Sequence, residues 1–167
     1  AMMKFGDPKS EETEVGTLID EAAARRVEAW IRAAADGGAE ILTGGRRHGA
    51  GFEPTVLTNV KTEMDVVCNE VFGPALSIIP YTELDSVVRF VNASRFGLHC
   101  GIFTTSNAVT FDLIRRLRTG GIIVNGTSTW RTDQLAYGGV RDSGMGREGP
   151  RYAIEDMTDQ RLVLFNL

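Results

Sequence analysis

The sequence predicts an α/β fold: part of a doubly wound, mainly parallel sheet, ending in an extended C-terminal strand. Three observations carry this. Between Pro74 and Val124, apolar strand-like runs alternate with amphipathic helical ones, the β-α-β-α-β rhythm of parallel sheets. Ile122-Ile123-Val124 is apolar without interruption, which suits a strand covered on both faces and right-handed crossovers between neighbours. Residues 161–165 are apolar after Arg161 and stand beyond a long glycine-rich stretch, so they read as a strand reaching outward.

The elements follow in order. Residues 4–16 are polar and turn-rich, opening with Gly6-Asp7-Pro8, and read as a loop. Asp20 caps a helix in which Val27, Trp30, Ile31 and Ala34 share one face, and Gly37-Gly38 ends it. Residues 39–42 form a short strand closed by Gly44-Gly45, 48–51 a turn, and 55–57 a second short strand. Residues 75–81 form a strand. Thr82 starts a helix with Leu84, Val87, Val88 and Val91 on one face and Asp85 in the capping-box position. Residues 101–105 are the next strand. Ser106 caps a helix burying Val109, Leu113, Ile114 and Leu117, Gly120-Gly121 stops it, and 122–124 follow as a strand. After Asn125 come some 25 irregular residues and a short helix near 152–155. A stretch that irregular inside a compact domain marks a functional loop.

The 167 residues suffice for one domain with a real core, and no repeat or linker divides 1–167. Net charge is -4, without the clustered Lys and Arg that a nucleic-acid partner requires. The pairs Arg25-Arg26, Arg46-Arg47 and Arg115-Arg116 are interleaved with acids and read as solvated faces. No apolar run approaches the ~20 residues of a membrane helix, so no membrane partner is expected. Ala1-Met2 ahead of Met3 has the look of an expression remnant. Two cysteines, Cys68 and Cys100, set up no disulfide framework, which points to a reducing cytoplasm. With His48 and His99 they show no zinc spacing, so no metal is expected.

Two constellations carry candidate chemistry. In Asn69-Glu70-Val71-Phe72-Gly73-Pro74, a carboxylate beside an aromatic ring can accept two sugar hydroxyls while the ring packs on a flat heterocycle; the plain alternative is a polar turn before a strand. The second, residues 137–149, has glycines at 138, 139, 144, 146 and 149, which let backbone approach another segment or a ligand closely. Gly144-Met145-Gly146-Arg147-Glu148-Gly149 formally matches GxGxxG. It is not a dinucleotide fingerprint, since no apolar strand precedes it and no βαβ unit follows.

Taken together, these motifs resemble the aldehyde dehydrogenase family in order and spacing. The match runs through Gly6-Asp7-Pro8, Gly16-Thr17-Leu18-Ile19 and Phe52-Glu53-Pro54-Thr55-Val56-Leu57. It continues through the Glu70 to Pro74 motif, Asn92, Phe96-Gly97-Leu98, Gly121 to Asn125, and the glycine loop. The resemblance covers nearly the whole chain and identifies it as the C-terminal part of that family's catalytic region. It implies NAD or NADP as cofactor, with Glu70 on the nicotinamide ribose hydroxyls and Phe72 positioning that end. It implies that Asn125 and loop 126–137, with Trp130, Arg131 and Tyr137, line or support a tunnel for a small aldehyde. Gly138-Gly139 and Ser143-Gly144 would shape the loop beneath. Residues 160–166 would pair with a neighbouring subunit in a dimer or higher homo-oligomer.

Departures are informative. The family's usual acidic doublet is Asn69-Glu70 here, and a lysine common in the glycine loop is Arg141. Family chemistry passes through a thiohemiacetal on a nucleophilic cysteine, with a glutamate as general base. Both belong upstream of the Gly-Asp-Pro segment, so no residue of this chain is expected to be catalytic and the chain alone is expected to be inactive. Cys68 is a candidate reactive thiol on exposure only, and Cys100 opens a buried strand as an inert small hydrophobe. Glu70 and Phe72 reach one end of a dinucleotide, so the isolated chain is expected to bind no cofactor. A non-catalytic, self-associating module of the family is the main alternative, and a free-standing NAD-binding protein the second. Finally, Arg131 in Ser128-Thr129-Trp130-Arg131 can clamp a distal anion bidentately, as on a semialdehyde, or be a surface arginine.

Overall fold

A computed structural model of the chain describes residues 3–166; Ala1-Met2 lies outside them. The chain divides into two compact units, 1–80 and 81–167, and each has its own apolar cluster.

The first unit is organised by helix α1 (Glu21–Asp36). Asp20 caps it as expected, its Oδ1 accepting from the Ala23 N–H at 2.7 Å, and Gly37 and left-handed Gly38 end it. The apolar stripe buries Ala24, Val27, Ile31 and Ala34. Strand β1 (Glu40–Thr43) leads into a hairpin of β2 (Arg47–His48) and β3 (Gly51–Phe52). Then β4 (Thr55–Thr58) returns antiparallel to β1. A one-turn helix α2 (Asp65–Cys68) precedes β5 (Ala75–Ser77), which pairs with β4 in parallel. Phe52 and Leu57 are wholly buried with Val27 and Ile31 at the centre of the cluster. Thr55 is the buried polar residue. Its hydroxyl donates to Glu53 O at 2.7 Å and accepts from Gly45 N at 2.8 Å, so its burial leaves no polar atom unsatisfied.

The second unit contains α3 (Leu84–Ala93), β6 (His99–Ile102), α4 (Asn107–Arg116), β7 (Gly121–Val124) and α5 (Pro150–Met157). Strands β6 and β7 pair in parallel, His99 opposite Gly121 through Ile102 opposite Val124, with α4 as the crossover. Val88, Ile102, Leu113 and Leu117 form its core. Ser106 caps α4 by accepting from the Val109 N–H. Asn92 seals the other end of α4: its Nδ2 donates to Arg116 O and its Oδ1 accepts from Arg118 N, both at 2.8 Å.

Several expectations need correction. In place of one mainly parallel sheet, the described residues form three small sheets, with β1-β4 and β2-β3 antiparallel and β4-β5 and β6-β7 parallel. The reason is local. Gly44, Gly45 and Gly49 take left-handed conformations and reverse the chain before β4, where hairpin geometry imposes antiparallel pairing. The strand expected over 75–81 stops at Ser77, because β4 ends at Thr58 and Asn59 turns away with φ 54°. Helix α3 starts at Leu84 without a side-chain cap, since Asp85 is drawn to Arg116 instead of to its own first turn. The strand expected over 101–105 is β6, shifted toward the N-terminus so that it matches β7. Ile114 on α4 is exposed. Residues 159–166 form no ladder, and Leu162, Val163, Leu164 and Phe165 are exposed; a strand exists only against a partner, and these residues pair with none of the described residues.

Glu28 joins α1 to β2 through a hydrogen bond from Arg47 Nε at 2.9 Å, and that bond chiefly holds its carboxyl below the ordinary range. A lowered carboxyl contributes stability at higher pH and loses it as pH falls through the lowered value. The urea-midpoint difference between wild type and Glu28→Gln is therefore expected to be full above pH ~5 and to shrink steadily below pH ~4. A difference independent of pH would contradict this.

Candidate functional site

Glu70 and Phe72 lie in the first unit, between α2 and β5. Glu70 is exposed, and its carboxylate makes no hydrogen bond or ion pair among the described residues. Phe72 is 73% exposed with φ +48°, an uncommon left-handed conformation for an aromatic residue. Its neighbours hold it there. Arg26 Nη2 donates to Val71 O at 2.8 Å, while a Cβ on Gly73 would lie 2.8 Å from Val27 Cγ2. The backbone on either side of Phe72 is thus pressed onto α1 and the ring is directed outward. An apolar ring kept in water beside an unpartnered carboxylate fits the ribose end of a nicotinamide cofactor: two acceptor oxygens for hydroxyls, and a flat surface.

Trp130, Arg131 and Tyr137 lie in the second unit, in the irregular segment after β7. Asn125 starts that segment in a left-handed conformation, φ 55°. Its N–H donates to Ile102 O and its Oδ1 accepts from Thr104 N at 3.0 Å, so it turns the chain away at the ends of β6 and β7. Tyr137 then pairs with Glu148 in an isolated antiparallel bridge, Tyr137 N to Glu148 O at 3.1 Å and Glu148 N to Tyr137 O at 2.6 Å. On the Tyr137 ring sits the Arg131 guanidinium, 4.2 Å from the centroid, and Arg131 Nη2 donates to Glu148 Oε2 at 2.8 Å. The His99 ring meets Tyr137 edge-on at 4.9 Å, and Nδ1 of His99 lies 3.0 Å from Ser128 O. The structure thus brings Arg131 and Tyr137 together with His99 and Glu148, two residues that no sequence motif marks as site residues. Trp130 is half exposed, and its ring joins no stacked or edge-on pair in this cluster.

The glycine loop is fastened under this cluster. Gly97 O accepts from both Gly120 N at 3.0 Å and Val140 N at 3.1 Å, and Gly97 N donates to Ser143 Oγ at 2.9 Å. A Cβ on Gly120 would overlap Gly138 O, and one on Gly97 would press on Val140 and Arg141. Arg141, left-handed at φ 58° in a 3-10 turn over Arg141–Ser143, donates to Arg118 O at 2.9 Å and Phe96 O at 2.5 Å. Its charge is therefore used on two carbonyls, a fork that one ammonium reproduces poorly. Arg95 adds an ion pair to Asp142 at 2.6 Å.

Of the two thiols, Cys68 is exposed and Cys100 half-buried, where burial pushes the Cys100 thiol up and makes it a poorer nucleophile. Among the described residues no helix is long and apolar enough to cross a membrane.

Comparison with known proteins decides the family. The profile described as "Aldehyde dehydrogenase family" matches residues 1–163. The chain belongs to the aldehyde dehydrogenase family. A curated member, the 3-sulfolactaldehyde dehydrogenase of Priestia aryabhattai, is 46% identical over 162 residues, covering 97% of this chain and 34% of that protein. Aldehyde dehydrogenase 21 from Physcomitrella patens, solved in complex with the reaction product succinate, superposes with a TM-score of 0.90 at 39% identity, over 93% of this chain and 32% of that one. The glyceraldehyde-3-phosphate dehydrogenase GapN of Methanocaldococcus jannaschii, solved with NADP, gives a TM-score of 0.88 at 36% identity, over 94% of this chain and 34% of that one. The chain spans about a third of the length of the curated relatives it matches. This aldehyde dehydrogenase chain is an α/β segment of an oxidoreductase family, and it matches solved family members along nearly all its length.

The clasp at Gly97 and Gly120 can be tested by hydrogen exchange. Gly120→Ala is expected to speed amide exchange at residues 138–143 by about tenfold or more, the equivalent of weakening local closure by ~1.4 kcal/mol. Protection within β6 and β7 should survive. Unchanged exchange in 138–143 would show that the loop is not held by this approach.

Proposed function

We propose that this chain forms the nicotinamide-ribose contacts, part of the substrate-tunnel wall and a subunit interface of an NAD- or NADP-dependent aldehyde dehydrogenase. On this reading the enzyme oxidises small aldehydes carrying a distal anion, such as semialdehydes, to carboxylic acids. The observation that carries the anion reading is the Arg131 guanidinium, held over the Tyr137 ring with one nitrogen tied to Glu148. A guanidinium held over a ring and by one ion pair has its fork oriented for bidentate recognition of an oxyanion, whereas a solvated arginine samples many rotamers. Relatives' names point the same way, since sulfolactaldehyde and succinate both carry an anion at a distance from the reacting carbon.

Each residue has a proposed part. Glu70 accepts hydrogen bonds from the two ribose hydroxyls, and Phe72 packs beside the ring they carry. The nicotinamide, when bound, supplies the hydride acceptor. Tyr137 and Trp130 form apolar wall, and Arg131 draws the far end of the aldehyde so that its carbonyl is oriented for attack. The nucleophilic cysteine and the general-base glutamate come, on this reading, from residues of the enzyme other than these. The chain by itself is therefore proposed to be inactive and to bind no dinucleotide.

The C-terminal residues support the interface. Leu162, Val163, Leu164 and Phe165 are 61–93% exposed in chain that forms no ladder, and such backbone presents unpaired N–H and C=O groups for another strand. A second copy is the proposed partner.

Two outcomes are expected. In the complete enzyme, Arg131→Ala should lower kcat/KM for a carboxylate-tailed aldehyde by about a hundredfold, equivalent to ~2–3 kcal/mol for a charged hydrogen-bond pair, while a neutral aldehyde of equal length changes little. An unchanged preference between the two aldehydes would refute the anion reading. Light scattering of the chain should give a dimer or larger species that is lost in Val163→Lys; a clean monomer would count against the interface.

A further inference from the structure

We propose that His99 is a positioning residue for the substrate: by holding both ends of the stretch between Ser128 and Tyr137, it fixes the Arg131 guanidinium over the Tyr137 ring and so sets where the far end of the aldehyde is received. The role rests on the reading of Arg131 as the residue that meets the distal anion.

The place of His99 follows from the pairing of β6 with β7. It opens β6 opposite Gly121, the first residue of β7. Gly121 has no side chain, and the imidazole lies over its backbone: a Cβ there would stand 2.5 Å from Cδ2 and 2.6 Å from Nε2. Two residues further along β6, on the same side of the strand, Gly101 is pressed against the segment after β7. A Cβ on Gly101 would lie 2.7 Å from Gly126 O and 3.3 Å from Ser128 N. One side of β6 thus receives residues 126–128 as backbone on backbone, with His99 beside them.

The imidazole makes two contacts there, one with each end of the irregular stretch. Its Nδ1 lies 3.0 Å from Ser128 O. A carbonyl only accepts, so Nδ1 carries the hydrogen and donates it. The ring stands nearly perpendicular to Tyr137, at 77° and 4.9 Å between centroids, a favourable aromatic arrangement. Arg131 lies between these two anchors. On the Ser128 side a turn closes from Trp130 N to Thr127 O at 3.1 Å, with the Thr127 and Thr129 hydroxyls 2.7 Å apart, and Arg131 follows directly. On the Tyr137 side the guanidinium stands 4.2 Å from the ring centroid. The tyrosine backbone is set by its bridge to Glu148, but a bridge leaves the ring several rotamers, and the His99 ring restricts them. Histidine combines a donor at the δ position with a flat ring. Asparagine supplies only the donor, and phenylalanine only the ring.

The test is kcat/KM in the complete enzyme for a carboxylate-tailed aldehyde and for butanal, in wild type, His99→Asn, His99→Phe and His99→Ala. A purely structural loss would lower both aldehydes alike, so the tailed-to-butanal ratio is the readout. It should fall about threefold in His99→Asn and about threefold in His99→Phe, each of which keeps one contact. In His99→Ala it should fall on the order of tenfold, through KM for the tailed aldehyde with kcat little changed. Should His99→Ala fail to fold, His99→Asn and His99→Phe decide on the same ratio. Amide hydrogen exchange across 127–131 should quicken in His99→Phe and stay at the wild-type rate in His99→Asn, which retains the bond to Ser128 O. A wild-type ratio in all three variants would overturn the inference, as would unchanged exchange in His99→Phe. Arg131→Ala separates the two readings. If it removes the preference for the tailed aldehyde while the His99 variants keep it, the anion site stands without His99. If Arg131→Ala retains the preference, the anion reading itself fails and the positioning role falls with it.

Discussion

Backbone meets backbone at Gly97, and the candidate substrate site of the second unit hangs from that contact. The Gly97 carbonyl accepts from Gly120 and Val140 together, and the Gly97 N–H is taken by Ser143. Neither Gly97 nor Gly120 has space for a Cβ. Because three segments converge on one glycine, the start of β7, the turn before β6 and the glycine loop are fixed relative to each other. The Tyr137–Glu148 bridge starts at the edge of this clasp, so the position of Arg131 is inherited from it. Glycine is permissive in the unfolded chain, and its entropic disadvantage is offset here by hydrogen bonds that no other residue would permit.

The polar interactions around Arg131 matter more for direction than for stability. The Arg131 and Glu148 side chains are 43% and 64% exposed, and an exposed ion pair contributes on the order of 0–1 kcal/mol. What the pair and the Tyr137 ring supply is orientation: a planar donor set with one free edge. Phe72 in the first unit follows the same logic. Its left-handed backbone is unfavourable locally, and the packing of Gly73 on α1 and the Arg26 bond to Val71 sustain it. In both units the residues proposed to meet ligand, Tyr137 apart, are exposed side chains, and the backbone beside Phe72 and Tyr137 is firmly held.

What the sequence revealed followed the range of the interaction. Asp20 and Ser106 were legible as caps because a cap bonds within three residues of itself. The stripe of α1 and the β6-α4-β7 unit were legible because periodicity is local. Asp85 misled, since its capping-box position is equally a position from which it reaches Arg116, 31 residues away. Strand ends over 75–81 and 101–105 were set by partners that a single run of residues does not disclose. At the site, the Glu70 to Pro74 motif and the Arg131 loop were found through resemblance and residue chemistry. The role of Arg141, bonded to carbonyls 23 and 45 positions away, left no local mark. Nor did the left-handed conformations of Phe72 and Asn125, since neither position is a glycine.

The most direct measurement is a structure of the complete enzyme with a carboxylate-tailed acid product bound. The expected result is a product carboxylate within hydrogen-bond distance of the free edge of Arg131, with the guanidinium still stacked on Tyr137 and still bonded to Glu148. A product carboxylate paired elsewhere, with Arg131 bonded to Glu148 alone, would contradict the assignment of Arg131 as the residue that recognises the substrate.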